Sequence, residues 1–333
     1  MTIKMPDLND VFQARHRIKD MVWETPLLTD ALLTRQCGAA SVYLKLECLQ
    51  HTGSFKVRGA SNKVLSLDDE GRKRGVITFS TGNHGKAVAF VAAKKGLRAV
   101  VCLSEHVPAY RARMIGSMGA ELVVKGAFQD EAEEHYQTLA REQGLTPVEP
   151  FDDPLIIAGQ GTIALEILSR LPQTDVLLIQ LSGGGLLGGI AMAAKTINPR
   201  IRVLGVSIER SPAMLESFKA GKPVQVQEKN TLADSLLGGI GMDNQYTLPL
   251  VQQYVDEHIC VSEEHIKDGL LHIFEQHRLI AEGAAAVGVG ALLNGLAEVR
   301  GKRVVTLLSG STVDSRSYLD TVEEGLKKIK RMS

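Results

Sequence analysis

From residue 75 onward, short runs rich in β-branched residues alternate with longer amphipathic segments. The runs are GVITFS, LRAVVCL and AELVVKG, and the segments between them are NHGKAVAFVAAKKG and PAYRARMIGSMG. Short apolar runs predict strands, and segments with apolar positions every three or four residues predict helices. This part of the chain is therefore expected to fold in a βαβα order.

The same alternation restarts after a break near Pro147 to Pro154. It predicts a helix in IAGQGTIALEILSR, a strand in DVLLIQL, a helix in GLLGGIAMAAKTI and a strand in IRVLGVSI. The run VLLIQL is apolar on both faces, as expected for a parallel strand covered by helices on each side.

The C-terminal part adds a predicted helix from about Glu263 to His277, the small-residue segment EGAAAVGVGALLNG, the strand RVVTLLS and a closing charged helix. The whole pattern predicts an α/β protein, and a length of 333 residues favours two lobes. We expect the lobes to face each other, with a ligand at the carboxyl ends of the strands.

The charges balance, with 38 Lys and Arg against 38 Asp and Glu, so the chain is not expected to bind nucleic acid. No apolar run approaches the roughly 18 residues that a membrane span needs. The start MTIKMPDLNDVF lacks the pattern of a signal peptide, which favours a cytoplasmic protein. The four cysteines are scattered and no histidine stands near them at metal spacing, so neither a disulfide framework nor a metal site is predicted.

A lysine stands in a turn where a helix should begin. Lys56 lies in TGSFKVRGA, between Gly53 and Gly59 and after the predicted strand VYLKLE. A helix start that faces a pocket disfavours the charged ammonium and so favours an amine that forms an imine. Taken alone, a surface lysine at a helix start is the more common explanation.

A glycine-rich loop follows the strand VLLIQL. In SGGGLLGGI, Ser182 and the glycines Gly183, Gly184 and Gly185 open a helix. Consecutive glycines let backbone N–H groups converge on an anion, so the loop predicts a phosphate site. It matches neither a nucleotide P-loop nor GxGxxG.

Two further polar clusters follow strands. STGNHG brings Ser80, Thr81, Asn83 and His84 to a helix start, where short polar donors suit a carboxylate. LLSGST places Ser309 at the end of the last strand, although a serine there is usually a turn residue.

Together, TGSFKVRGA, STGNHG, AGQGTIALE, SGGGLLGG and LLSGSTVD occur in the order found in fold type II pyridoxal-phosphate enzymes. Over nearly its whole length the chain resembles the threonine/serine dehydratase and serine racemase family. The resemblance implies two open, twisted parallel-sheet lobes, similar to the tryptophan synthase β subunit, with the cofactor in the cleft between them. Residues 1–52 and 148–333 would form the large cofactor-binding domain, and residues 53–147 a small mobile domain.

The same resemblance assigns the site residues. Lys56 would be the Schiff-base lysine, Phe55 would pack on the ring of pyridoxal 5'-phosphate, and Asn83 would bind the ring hydroxyl. The phosphate would lie on the loop from Ser182 to Leu186, which comprises Ser182, Gly183, Gly184, Gly185 and Leu186. Ser309 would face the pyridine nitrogen, and the substrate carboxylate would be held by Ser80, Thr81, Asn83 and His84.

The implied reaction is the elimination of water from a small β-hydroxy amino acid of the L-threonine or L-serine type, after which the enamine product hydrolyses to a 2-oxo acid and ammonia. Lys56 would remove the α-hydrogen. A neutral serine at the ring nitrogen would stabilise the carbanion less than a carboxylate would, which favours β-elimination over transamination. The expected partners are an amino-acid substrate and a second copy of the chain, as a homodimer or higher homo-oligomer.

The chain departs from the family pattern at several positions. Ser182 replaces a usual fourth glycine, and Ser207 and Ala213 stand where the family has divalent-metal ligands, so that metal site is expected to be missing. Thr81 replaces the serine that serves racemases as an acid. The chain stops soon after Asp314, which predicts no regulatory domain.

Other functions stay open at this point. STGNHG, VSIER and LADSLLGGIGMDN also resemble a dehydratase subgroup of ectoine and hydroxyectoine breakdown, whose substrate would be a hydroxylated diamino acid. Serine racemase is another alternative. A non-catalytic protein that binds a phosphorylated ligand is the alternative outside enzymes, but it would not need Lys56.

Overall fold

The computed structural model describes residues 3–80, 82–105, 107–126 and 129–332, without the side chains of residues 129–133 and 328–332. The strands are β1 (Leu27–Thr29), β2 (Ser41–Lys45), β3 (Val76–Phe79), β4 (Ala99–Leu103), β5 (Glu121–Val124), β6 (Thr146–Pro147), β7 (Val176–Gln180), β8 (Arg202–Ile208), β9 (Glu257–Val261) and β10 (Arg303–Leu307).

The helices of the first half are α1 (Leu8–Ile18), α2 (Ala31–Cys37), α3 (Lys56–Leu65), α4 (Asp69–Arg74), α5 (Asn83–Lys95), α6 (Ala109–Gly116) and α7 (Gln129–Gln143). Those of the second half are α8 (Pro154–Arg170), α9 (Gly185–Ile197), α10 (Ala213–Ala220), α11 (Thr247–Tyr254), α12 (Glu263–His272), α13 (Gly283–Leu293) and α14 (Ser315–Met332).

The larger sheet has six strands in the order β1-β2-β10-β7-β8-β9. Its central strands are parallel and β7 is buried along its whole length. Helices α8 and α9 pack on one face, where Ile163 and Ile190 lie against Ile179. Helices α12 and α13 cover the other face, where Val287 packs near Leu178. Burial on both faces explains why these strands are apolar throughout.

The smaller sheet has four parallel strands in the order β5-β4-β3-β6. Helices α3 and α5 cover one face, with Val57 and Val88 packed near Val76. Helix α7 covers the other face, where Tyr136 packs against Ile77. The prediction of an α/β protein with two parallel-sheet lobes is confirmed.

Two details differ from the expected pattern. The edge strand β1 runs antiparallel to β2. The helix expected from Glu263 to His277 is α-helical to His272 and continues as a π-helix over Ile273–His277. Among the described residues, no helix is both long enough and apolar enough to cross a membrane.

Candidate active site

Backbone hydrogen bonds join the turn before Lys56 to the segment after β10. The Phe55 N–H donates to the Ser309 carbonyl at 3.1 Å. Ser54 forms an isolated antiparallel bridge with Gly310, and Ser309 is buried. Lys56, at the first position of α3, and Ser309 are therefore neighbours, although they lie far apart in the sequence.

The Lys56 amine donates to the Pro150 carbonyl at 2.7 Å and lies 5.4 Å from the centre of the Phe55 ring. Burial lowers the pKa of Lys56 to about 8, and the Glu282 carboxylate only partly opposes this shift. An amine with such a pKa is deprotonated often enough near neutral pH to act as a nucleophile or a base.

The glycine-rich loop connects β7 to α9, and its conformation requires glycine. Gly184 has a φ of 87°, in the left-handed region. A Cβ atom on Gly183 would overlap with the Phe151 ring, and one on Gly185 would lie 2.9 Å from the Phe151 carbonyl oxygen. The close approach of Phe151 thus excludes a side chain at both positions.

No side chain caps the start of α9. The first N–H groups of a helix have no partners within the helix, and its dipole favours an anion there. Ser182 is partly exposed at the entrance of the loop, whereas Leu186 is buried. These features fit a phosphate group held by backbone N–H donors.

The STGNHG segment also ends at an uncapped helix start, because α5 begins at Asn83 and Gly82 supplies no side-chain acceptor. The Ser80 hydroxyl accepts from the Gly82 N–H at 3.3 Å. Thr81 lies outside the described residues. The loop therefore offers the first backbone N–H groups of α5 to a carboxylate.

His84 is buried, and its Nε2 lies 2.9 Å from the Val148 carbonyl oxygen. Burial and the positive charge of Lys56 lower the pKa of His84 to about 3, so the imidazole is neutral. A carbonyl oxygen only accepts, which assigns the single ring proton to Nε2 and leaves Nδ1 as an acceptor. The group that His84 offers to a carboxylate is therefore its backbone N–H.

The sequence did not indicate Glu282, which the structure brings to Asn83. The Asn83 amide nitrogen lies 3.1 and 2.9 Å from the two oxygens of Glu282. The Glu282 N–H donates to the Gly310 carbonyl at 3.1 Å. Burial raises the pKa of Glu282 to about 7, although the hydrogen bond from Asn83 opposes this.

A buried ionic network anchors the helix that carries Lys56. The Arg58 guanidinium donates to Glu47 at 2.8 Å and to Glu166 at 2.6 Å, and Lys45 donates to Glu166 at 2.5 Å. Arg58 and Glu47 have no exposed surface. Because Arg58 is two residues from Lys56, the network holds the start of α3 in place.

The structure also places the two positions at which the resemblance to the family implies divalent-metal ligands. Ser207 lies in β8 and Ala213 is the first residue of α10, and both are buried. Neither offers a carboxylate.

The residues present fit pyridoxal 5'-phosphate. Asn83 Oδ1, His84 Nδ1 and Ser54 Oγ are buried polar atoms with no hydrogen-bond partner among the described residues. Buried polar atoms normally have partners, so these atoms point to a polar ligand. The Lys56 amine provides a nucleophile and the glycine-rich loop provides an anion site. The unpartnered polar atoms provide contacts for the ring of the cofactor.

The sequence pattern described as "Pyridoxal-phosphate dependent enzyme" matches residues 18–310. A putative threonine dehydratase of Sinorhizobium fredii is 45% identical over 95% of this chain and 95% of its own length. The L-threonine ammonia-lyase of Thermotoga maritima is 40% identical over 98% of this chain and 80% of its own.

Solved structures are similar over the same span. Maize serine racemase has a TM-score of 0.90 and 31% identity, covering 98% of this chain and 100% of its own. The processed form of threonine deaminase isoform 2 from Solanum lycopersicum has a TM-score of 0.87 and 30% identity, covering 97% of this chain and 95% of its own.

Proposed function

The chain belongs to the pyridoxal-phosphate dependent enzymes, and we propose that it eliminates water from L-threonine or L-serine. The observation that carries the proposal is the Lys56 amine, which donates to the Pro150 carbonyl and whose pKa is lowered to about 8 by burial. Hydrolysis of the eliminated product takes up water again, so the net products are a 2-oxo acid and ammonia. The relatives named as threonine dehydratases and ammonia-lyases support this substrate class.

The residues that would hold the cofactor come from both lobes. Lys56 would supply the amine that bonds to it, Phe55 would pack beside the ring, and the loop from Ser182 to Leu186 would bind the phosphate through backbone N–H groups. When bound, pyridoxal phosphate supplies an electron-withdrawing ring that acidifies the substrate's α-hydrogen.

Once released from the cofactor, Lys56 Nζ would accept that α-hydrogen as a proton. The buried Arg58 holds the start of α3, and the Pro150 carbonyl accepts a hydrogen bond from the amine. A base works best when its pKa lies near the working pH, which agrees with a pKa of about 8.

Asn83 and Ser309 are the two side chains proposed to contact the cofactor ring. Asn83 donates to Glu282, which leaves Asn83 Oδ1 free to accept a hydrogen bond and fixes the orientation of the amide. Ser309 would offer a neutral hydroxyl to the ring nitrogen and would not hold a proton there as a carboxylate would. This favours elimination over reactions that need a long-lived carbanion.

The substrate carboxylate is held at the start of α5. The proposed donors are the Ser80 hydroxyl, Thr81, Asn83 and the backbone N–H of His84. No side chain caps this start of α5, so its first backbone N–H groups are open to the carboxylate. The neutral His84 ring keeps a second positive charge away from Lys56.

The domain division is part of the proposal. Residues 53–147 contain the strands of the smaller sheet, and residues 1–52 and 148–333 contain those of the larger one. We assign them to a small mobile domain and a large cofactor-binding domain. We also propose a cytoplasmic enzyme that works as a homodimer or higher homo-oligomer. Free cysteines at all four positions agree with a reducing compartment.

Serine racemisation is a second candidate activity, because maize serine racemase shares the fold over nearly the whole chain. A hydroxylated diamino acid is a further candidate substrate, suggested by the STGNHG and VSIER segments.

The test is a substrate screen with the purified holoenzyme, with Lys56→Ala as control. L-Threonine, L-serine, D-serine and a hydroxylated diamino acid are compared by release of 2-oxo acid and ammonia, and D-serine formation is measured separately. We expect 2-oxo acid from L-threonine or L-serine. Release only from the diamino acid, or D-serine as the main product, would overturn the proposed substrate or reaction.

A further inference from the structure

Two histidines and one aspartate meet on the side of the large sheet that α12 covers. His272 Nε2 lies 2.7 Å and His277 Nε2 lies 2.8 Å from the same oxygen of Asp30. One ligand atom from each residue lies within 4.8 Å of the other two. None of the three belongs to the candidate active site.

The two oxygens of Asp30 have different partners. Oδ1 accepts from the Leu33 N–H at 2.8 Å and so caps α2, whereas Oδ2 faces both imidazoles. Asp30 is 1% exposed. The site thus contains a buried carboxylate beside two imidazole nitrogens.

The backbone is irregular at the point that brings the histidines together. Residues five apart in an α-helix lie about 140° apart around its axis. The π-helix over Ile273–His277 changes this spacing, and His272 and His277 reach the same oxygen. Arg278 then ends the turn with a left-handed φ of 57°. π-Turns inside helices are frequent at functional sites.

We propose that Asp30, His272 and His277 form a binding site for a divalent transition-metal ion of the zinc type. Two imidazoles and one carboxylate are a ligand set that Zn²⁺ accepts, with water as the fourth ligand. The His277 side chain is 9% exposed, slightly more than the 7% of His272.

Binding requires only small movements. Ligand atoms around tetrahedral zinc lie about 3.4 Å apart, given Zn–N and Zn–O distances of about 2.1 Å. The present separations of 2.7 and 2.8 Å are those of hydrogen bonds. Each imidazole must carry its proton on Nδ1 so that Nε2 can bind the ion. The ion would then join the start of α2 to the end of α12 and act on stability, not on the reaction.

The test uses holoenzyme stripped with a chelator and dialysed. Zn²⁺ binding is followed by calorimetric titration, and the melting temperature is measured with and without Zn²⁺. The informative variant is His277→Gln, because a glutamine amide still donates to Asp30 but removes the imidazole ligand. His16→Gln, on α1, controls for binding to surface histidines.

We expect one Zn²⁺ per chain and a melting temperature about 3–5 °C higher when free Zn²⁺ is about 100-fold above its Kd. His277→Gln should bind at least about tenfold more weakly and lose the thermal shift, and His16→Gln should behave as the wild type. Absence of saturable binding in the wild type, or equal binding by His277→Gln, would overturn the proposal. The cluster would then be a carboxylate that only accepts hydrogen bonds from two histidines. Neither result depends on turnover, so the proposed reaction is tested separately.

Discussion

The Asn83 amide donates to the carboxyl group of Glu282, which lies 199 residues later in the chain. The side chain that is proposed to meet the cofactor ring is therefore oriented by a buried acid whose pKa is raised to about 7 by burial. The protonation of Glu282 consequently changes near neutral pH.

Glu282→Gln should make the stability of the apoenzyme less dependent on pH. A carboxyl group whose pKa is raised from 4.5 to about 7 by folding stabilises the native state fully below its unfolded pKa. This contribution is lost as the pH rises through the folded pKa. Relative to Glu282→Gln, the wild type should therefore lose up to about 3 kcal/mol of unfolding free energy between about pH 5 and 8. Urea unfolding at several pH values measures this, and parallel curves for the two proteins would show that Glu282 does not titrate in this range.

Gly183→Ala should weaken cofactor binding. The added methyl group would overlap with the Phe151 ring, and the resulting strain in the loop amounts to about 1–3 kcal/mol. We expect the Kd for pyridoxal phosphate to rise about 10- to 100-fold. In Gly183→Ala/Phe151→Ala the ring is absent, so part of the affinity should return. Fluorescence titration of the apoenzymes measures both, and no recovery in the double variant would show that Phe151 is not the cause.

Ser309→Asp should change which products form. A carboxylate would hold the ring nitrogen protonated and stabilise the carbanion, so side reactions such as racemisation should gain on elimination. We expect the ratio of side product to pyruvate from L-serine to rise about tenfold. Ser309→Ala is the control and should only weaken cofactor binding modestly. An unchanged ratio in Ser309→Asp would mean that Ser309 does not face the ring.

Turnover should survive removal of divalent ions. Ser207 and Ala213 offer no carboxylate at the positions where the family resemblance implies divalent-metal ligands, so activity in excess chelator should stay within about twofold. The assay belongs at a temperature well below unfolding, because a zinc-type ion at Asp30 would affect stability. Loss of turnover that magnesium restores would contradict this prediction.

The fold was predictable because its signals are local. Apolar runs located the strands, and the order of the Lys56 turn, the STGNHG loop and the glycine loop indicated the site. Glu282 was not predictable, because it is one acid at the start of a small-residue segment and its partner Asn83 is 199 residues away. The ionic network around Arg58 joins residues up to 121 positions apart, and no local sequence pattern indicates such pairs.

The cluster of Asp30, His272 and His277 was missed for a different reason. Two histidines five residues apart do not share a face of an ordinary α-helix. The helix predicted over residues 263–277 therefore places His272 and His277 on different faces. The π-turn that brings them together has no recognisable pattern in the sequence.

The central claim is that Lys56 bonds to pyridoxal phosphate and acts as the base, and borohydride reduction followed by peptide mass analysis tests it most directly. Lys86 is the matched control, since it is a partly buried lysine near the turn, with Nζ 3.7 Å from the position of a Cβ on Gly53. We predict one cofactor per chain, fixed to the peptide that contains Lys56 in the wild type and in Lys86→Ala. Lys56→Ala should fold but carry no fixed cofactor and form no 2-oxo acid. Cofactor fixed to another lysine, or normal turnover by Lys56→Ala, would contradict the account.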